Sequence, residues 1–98
     1  MLIRIVKMTF HPEETENFLH LFNNSKHKIR GFEGCAHLEL WRDKNSPNSF
    51  VTYSHWENEE ALNQYRNSPL FEGVWAETKA KFSEKPIAFS VEQQVVVD

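Results

Sequence analysis

Residues 50–69, FVTYSHWENEEALNQYRNSP, contain a strand pattern followed by two helix-start signals, and these decide the fold. Residues 50–56 alternate between two faces, which predicts a β-strand. Asn58 can cap the helix that follows, since its side-chain oxygen can accept a hydrogen bond from a first-turn amide. Ser68 and Pro69 repeat this signal, because serine caps helices well and proline suits the first helical position. The stretch therefore predicts one strand and a helix that is split in two.

Further strand and helix patterns flank this stretch on both sides. Residues 2–10 alternate with apolar side chains on both faces, which is typical of a strand covered on both sides. Residues 11–30 begin with HPEE and carry apolar side chains at helical spacing, so they predict a long helix. Residues 35–42 alternate again, and a polar turn separates them from the next strand. After the split helix, residues 87–97 are interpreted as a last strand.

The order of these elements is β-α-β-β-α-β. It predicts an α+β, ferredoxin-like fold in which helices cover one face of an antiparallel sheet. The 98 residues are expected to form a single domain, residues 1–98. The other face of the sheet also carries apolar side chains, and monomers rarely expose a large apolar patch. We therefore predict a homodimer in which the two sheets face each other and the last strand reaches across.

Composition argues against two classes of partner. The chain has 14 acidic residues against 11 lysines and arginines, and its net charge of −3 argues against nucleic acid as the main partner. No run approaches the roughly 18–20 apolar residues that a membrane-spanning helix needs, so no membrane partner is expected. Cys35 is the only cysteine; it cannot form an internal disulfide, and it favours a cytoplasmic location.

Two histidines on neighbouring predicted strands, His37 and His55, can lie close together. With Glu39 they could hold a metal ion. However, the five histidines of the chain show no metal-ligand spacing, and a polar cluster explains the pair as well, so no metal is expected. Cys35 and His37 are two residues apart and are expected on one strand face. That spacing allows contact between a thiol and a base, although packing of a small residue is the simpler interpretation.

Aromatic side chains are concentrated in the middle strands and the split helix: Trp41, Trp56, Tyr65, Phe71, Trp75 and Phe82. Phe71, Trp75 and Phe82 fall at helical spacing, so all three are expected on one helix. Tryptophan and tyrosine combine an apolar body with one polar group, and a cleft between a sheet and its helices is a common place for them. We expect an aromatic pocket there that suits a planar apolar ligand.

Residues 53–62, YSHWENEEAL, followed by Tyr65 and Asn67-Ser68-Pro69, resemble the antibiotic biosynthesis monooxygenase (ABM) domain family. The turn at residues 31–35, GFEGC, is similar to the turn that leads into the second strand of that family. The resemblance extends from the first strand to Phe89 and implies a dimeric α+β barrel. It also implies one of two activities. Family members include cofactor-independent monooxygenases of aromatic polyketides or quinols, in which the substrate itself supplies electrons to O₂, and haem-degrading monooxygenases.

Four positions differ from the pattern that the resemblance implies. Many members place a histidine where this chain has Leu70. The haem-degrading branch uses an asparagine, a tryptophan and a histidine at positions that correspond to Val6, Tyr65 and Trp75. None of the three is kept, so haem is not expected, and the resemblance to the remaining branch implies no cofactor.

Two functions are consistent with these observations. The first is a cofactor-independent monooxygenase that oxidises a planar quinol- or polyketide-type substrate in an aromatic pocket between sheet and helices. Tyr65 and His37 would then take part in hydrogen bonding or proton transfer, and five residues would bind the substrate: Trp41, His55, Trp56, Phe71 and Trp75. The alternative is a non-catalytic small-ligand-binding or stress-related dimeric α+β barrel protein.

Overall fold

The computed structural model describes all 98 residues. Its elements are β1 (Leu2–Thr9), a short 3-10 turn (Pro12–Glu14), α1 (Thr15–Arg30), β2 (Cys35–Arg42), β3 (Ser49–Trp56), α2 (Glu59–Arg66), α3 (Pro69–Lys79) and β4 (Ile87–Glu92). The strands form one antiparallel sheet in the order β2-β3-β1-β4, and the helices pack on one face. The predicted α+β, ferredoxin-like fold is thus confirmed. None of the helices is long and apolar enough to cross a membrane.

The two predicted caps divide the helix after β3. The Asn58 side chain accepts a hydrogen bond from the Ala61 backbone N–H at 2.8 Å. The Ser68 hydroxyl accepts one from the Phe71 N–H at 3.1 Å, with Pro69 in the first turn of α3. Each cap satisfies an amide that the helix itself leaves unpaired, so the chain can end one helix and start the next within three residues.

Strand register assigns each side chain to one face of the sheet. Ile5 lies opposite Tyr53 on β3 and Phe89 on β4, whereas Val6 lies opposite Thr52 and Ala88. Because strand side chains alternate, Val6 and its partners face the helices and Ile5 and its partners face away. We call the surface that faces away the open face; its residues are Ile3, Ile5, Lys7, His37, Glu39, Trp41, Val51, Tyr53, His55, Ile87, Phe89 and Val91.

Two buried clusters hold the helices on the sheet. One consists of Met8, Phe10, Phe18 and Phe50, and the other of Cys35, Trp56, Ala61 and Leu62. At the second cluster Gly34 adopts a φ of +91°, and a Cβ atom placed on it would lie 2.4 Å from the Ala61 Cβ. Glycine is therefore required there both by the backbone conformation and by the close approach of α2.

Three details differ from the sequence-based expectations. Helix α3 ends at Lys79, and Phe82 lies beyond it in a β-bridge with Phe10. The reason is that the chain turns back to the sheet, where the Ser83 N–H donates to the Thr9 carbonyl at 3.0 Å. Strand β4 ends at Glu92, and residues 93–98 are exposed without regular structure.

The third difference is a bulge in β2. Cys35 lies opposite Trp56 and His37 lies opposite His55, so Ala36 is an extra residue in the ladder. The expectation that Cys35 and His37 share one face was therefore wrong. The bulge reverses the alternation, so that Cys35 faces the helices and His37 belongs to the open face.

Candidate functional site

A cavity of about 260 Å³ lies between the sheet and the three helices. This volume is near the lower end of typical small-molecule sites. Apolar side chains from the inner face of the sheet and from every helix line it. Six of the lining residues are aromatic: Phe18, Phe22, Trp56, Tyr65, Phe71 and Trp75. The cavity lies in the cleft between the two layers, where an aromatic pocket was expected.

Four aromatic rings form a continuous surface along one side of this cavity. Trp56 stacks on Tyr65 with ring centroids 4.9 Å apart, and Tyr65 meets Phe71 edge-on at 5.2 Å. Phe71 in turn stacks on Trp75 at 5.7 Å. Trp56 is 1% exposed, and its indole N–H donates to the Ser54 hydroxyl at 3.0 Å. Trp56 therefore anchors this surface, while Tyr65, Phe71 and Trp75 are half-buried and accessible to a ligand.

The break between α2 and α3 positions this surface. The Ser68 hydroxyl donates to the Tyr65 carbonyl at 2.6 Å and accepts from the Phe71 N–H at 3.1 Å. One buried side chain thus links the backbones of two cavity-lining aromatics. Because a buried hydrogen bond fixes direction as well as distance, Ser68 holds the edge-on geometry of Tyr65 and Phe71.

Tyr65 is a hydrogen-bond donor rather than a base in this setting. Burial, and secondarily the Cys35 thiol, raise the pKa of the Tyr65 hydroxyl far above its ordinary value. The phenol therefore stays protonated at neutral pH. The tyrosine and tryptophan side chains that hydrogen-bond to protein groups are Trp41, Tyr53 and Trp56. The Tyr65 hydroxyl and the Trp75 indole N–H thus have no partner in the protein.

Two arginines also line the cavity, and sequence reasoning missed both. Arg4 is on β1 and is half-buried, whereas Arg66 at the end of α2 is exposed. An Arg4 N–H donates to the Ser90 hydroxyl at 3.2 Å. Burial, followed by repulsion from Arg66, lowers the pKa of Arg4. The signal was present in the sequence, because Arg4 interrupts the apolar residues Leu2, Val6 and Met8 on a strand face that packs on helices.

Three of the expected site residues lie elsewhere. His37, Trp41 and His55 were expected with Tyr65, but they belong to the open face, on the opposite side of the sheet from the cavity. The expectation that they lie with the cavity aromatics was therefore wrong. Trp41 and His37 pair with Val51 and His55, whose side chains point away from the helices because they alternate along β3 with the inward-facing Thr52 and Ser54.

On the open face these residues form a polar aromatic cluster. Glu39 accepts hydrogen bonds from the Trp41 indole at 2.8 Å and from the His37 imidazole at 2.5 Å. The Trp41 hydrogen bond, followed by that of His37, lowers the pKa of the Glu39 carboxyl. Tyr53 stacks on Trp41 at 4.6 Å, and its hydroxyl lies 2.6 Å from the His55 imidazole. Burial and the neighbouring His37 lower the pKa of His55.

The structure contains no group of three or more His, Cys, Asp or Glu side chains that could hold a metal ion. No carboxylate and no imidazole lines the cavity either. Cys35 is buried, and burial raises the pKa of its thiol. What the cavity can do chemically is therefore limited to stacking a flat ring, excluding water, and forming hydrogen bonds. The groups that can form them are Tyr65, Trp75, the two arginines and the hydroxyls of Thr52, Ser54 and Thr78.

Comparison with known proteins agrees with this geometry. A solved structure described as antibiotic biosynthesis monooxygenase has a TM-score of 0.91 at 21% identity, over 97% of this chain and 100% of its own. A conserved protein from Methanosarcina mazei Go1 has a TM-score of 0.89 at 19% identity, over 96% and 94% of the two chains. Rv0793 from Mycobacterium tuberculosis has a TM-score of 0.89 at 14% identity, over 99% and 98%. Such identities show a shared fold alone.

No curated protein matches the chain. The family model of antibiotic biosynthesis monooxygenases, in contrast, matches residues 1–76. Because that match covers more than half of the 98 residues, this chain belongs to the antibiotic biosynthesis monooxygenase family.

Proposed function

We propose that the protein is a cofactor-independent monooxygenase that oxidises a planar aromatic substrate of the quinol or polyketide type. The observation that carries this proposal is the aromatic cavity between sheet and helices, in a chain that belongs to this family. In such a reaction one oxygen atom of O₂ enters the substrate and the other leaves as water. An anthrone, for example, has a CH₂ group that becomes a carbonyl, so the substrate itself supplies the electrons.

In this proposal the protein contributes binding, orientation and exclusion of water. The half-buried faces of Phe71 and Trp75 would stack on the substrate ring, and Trp56 would hold Tyr65 in place. The protonated Tyr65 hydroxyl would donate a hydrogen bond to an oxygen that becomes negative as the substrate is oxidised. A protein donor that already points at the developing charge stabilises it without reorganising water.

The proposal is tested by measuring oxygen consumption with an electrode for a panel of anthrones and hydroquinones. We expect consumption above buffer, and ¹⁸O₂ should label the product with one oxygen atom. Tyr65→Phe should lower the rate by about 10–100-fold, the effect of losing one oriented donor. Tyr53→Phe is the matched control, because that hydroxyl lies on the open face. The absence of any consumption above buffer would refute the proposal.

A second function is favoured by the lack of a base. No histidine, aspartate or glutamate lines the cavity, and Leu70 stands where many family members have histidine. The alternative is therefore a small-ligand-binding or stress-related protein that does not catalyse. Quenching of tryptophan fluorescence by an aromatic ligand, with no product detected by chromatography, would favour this second function.

We further propose that the protein is a homodimer, with the open faces of two copies packed together, in the cytoplasm. The open face exposes Trp41 by 43%, Phe89 by 46% and Ile87 by 58%. They lie on the same surface, Trp41 on the edge strand β2 and the other two on the edge strand β4. Monomers seldom leave such an apolar surface uncovered. The single cysteine, Cys35, supports the location.

Sedimentation at micromolar concentration tests the dimer. The native protein should sediment as a dimer, and Phe89→Asp should sediment as a monomer, since it places a charge within the proposed interface. Ala76→Asp on the exposed side of α3 is the control and should remain dimeric. A native protein that sediments as a monomer would contradict the assembly.

A further inference from the structure

The charged groups that line the cavity are unusual in that both are cations without an acidic partner. The 98-residue chain is acidic overall, with a net charge of −3. Nevertheless two guanidinium groups line this cavity, and no carboxylate does. The one close contact between a carboxylate and a basic side chain joins Glu39 and His37 on the open face. Arg4 and Arg66 therefore have no protein counter-charge.

The local structure explains why neither arginine is neutralised. Arg4 lies opposite two serines, Ser54 and Ser90, where an acidic residue would have formed a cross-strand pair. Glu92 is opposite Leu2 on the same face, but it forms no ion pair with Arg4.

The helix offers Arg66 no acidic neighbour either. The residues three and four positions away are Leu62, Asn63, Pro69 and Leu70, and these are the positions from which an acid would pair with Arg66.

The arrangement places the positive charge at one end of the cavity. Arg66 is exposed and Arg4 is half-buried, so the two groups mark the solvent end, while Trp56 and Phe18 lie deep in the interior. Arg4 uses one N–H on Ser90, which leaves the rest of its planar donor fork free. Two like charges held near one cavity repel each other, and the pKa of Arg4 is lowered in part for this reason. A bound anion would relieve that repulsion.

We propose that the ligand of this cavity carries an oxyanion on its planar ring, and that Arg4 and Arg66 hold this group at the solvent end. The inference rests on the proposed function, since it takes the cavity as the ligand site. A carboxylate fits this site best, because the guanidinium fork donates two parallel hydrogen bonds to it. The aromatic surface then receives the ring, and the arginines select acidic aromatics over neutral ones.

Calorimetric titration of the full chain tests this inference. The two probes are nearly isosteric: naphthalene-2-carboxylate and naphthalene-2-carboxamide. We expect the carboxylate to bind at least about ten-fold more tightly, as charge-assisted hydrogen bonds do. Arg4→Gln should weaken carboxylate binding about ten-fold and Arg66→Gln about three-fold, because the exposed Arg66 is screened by water. Carboxamide binding should be unchanged in both variants.

Arg42→Gln is the control variant, because Arg42 is outside the cavity and packs over Phe50. It should bind both probes as the native protein does. Higher salt should weaken carboxylate binding only. A third probe, 1-naphthyl phosphate, identifies the kind of oxyanion. If it binds more tightly than the carboxylate probe, and if Arg4→Gln abolishes this binding, the natural ligand carries a phosphate in place of a carboxylate.

Equal affinity for carboxylate and carboxamide would overturn the inference, and so would no binding of any probe. A carboxylate preference that both arginine variants retain would also overturn it. The outcome is separable from the proposed function: an arginine-dependent preference without oxygen consumption refutes catalysis only. Oxidation of neutral quinols by a protein that binds carboxylate and carboxamide equally well refutes the anion site only.

Discussion

Replacement of Ser68 by alanine tests the link between the helix break and the cavity. The native hydroxyl accepts from the Phe71 N–H at 3.1 Å and donates to the Tyr65 carbonyl at 2.6 Å, and Ser68 is 8% exposed. Alanine removes both hydrogen bonds and leaves the Phe71 amide of α3 without its cap. Loss of a cap costs about 1 kcal/mol. The second buried hydrogen bond brings the expected loss to about 1–2 kcal/mol in the free energy of unfolding.

The assay is urea unfolding followed by circular dichroism, at one fixed protein concentration because a dimer's stability depends on it. In a thermal scan the same loss should lower the melting temperature by about 5–15 °C. Ser68→Thr keeps an acceptor and a donor and should recover most of the loss. Ser46→Ala, in the exposed turn between β2 and β3, is the control and should leave stability unchanged.

The same substitution should weaken the aromatic surface. Without the hydroxyl, the backbones of Tyr65 and Phe71 are no longer joined, so binding of naphthalene-2-carboxylate should weaken even at temperatures where the variant is folded. A Ser68→Ala protein as stable as the native one would refute the assignment of Ser68 as the cap of α3. A destabilised variant with native affinity would refute its role in positioning the two rings.

Three further predictions concern other parts of the fold. Gly34→Ala should lower the free energy of unfolding by about 1–3 kcal/mol, because the residue has a φ of +91° and its new methyl group would meet the Ala61 Cβ. Gly73→Ala, with open space around it, is the control in the same urea titration. Equal stability of the two variants would contradict the packing argument. Acidification from pH 7.5 to 5.5 should lower the free energy of unfolding, because the folded protein has a lowered His55 pKa and the unfolded chain therefore binds more protons below the ordinary histidine pKa of about 6.5. The His55→Gln variant should lose less stability over this range. An identical loss in both proteins would exclude His55 as the cause. Below that range Glu39, whose pKa is also lowered, loses its stabilising hydrogen bonds as it becomes protonated, which adds to acid unfolding. Cys35 should react slowly with iodoacetamide in the native protein and rapidly in urea, since the thiol is buried with a raised pKa; fast native alkylation followed by mass spectrometry would contradict its place beside Trp56.

The element order was predictable because each boundary carries a local chemical signal. Asn58, Ser68 and Pro69 begin helices for reasons that act within one turn, and the alternation of residues 50–56 is a property of the strand itself. The family resemblance of the same stretch agrees with the match to residues 1–76. Local signals were enough for the fold, because the ferredoxin-like order follows from the sequence of elements alone.

The site was only partly predictable, because it depends on distant parts of the chain. Trp56, Tyr65, Phe71 and Trp75 line the cavity as their patterns suggested. His37, however, does not share a face with Cys35, because the extra residue at Ala36 interrupts the alternation and leaves no local mark in the sequence.

Arg4 and Arg66 were missed for a related reason. One is on a strand and the other at the end of a helix 62 positions later. Arg4 stands out among the apolar residues of its strand face, but no local pattern indicates that it and Arg66 line the same cavity.

The bulge at Ala36 also bears on how the length of this chain can change. The ladder between β2 and β3 places Cys35 and His37 opposite consecutive residues of the neighbouring strand. A version of the chain lacking Ala36 would therefore continue the pairing without interruption, with the thiol still inward and the imidazole still outward. Deletion or insertion of this one residue would therefore leave every other β2 side chain on its present face of the sheet. Elsewhere in a strand, a one-residue deletion or insertion would move the following side chains to the opposite face.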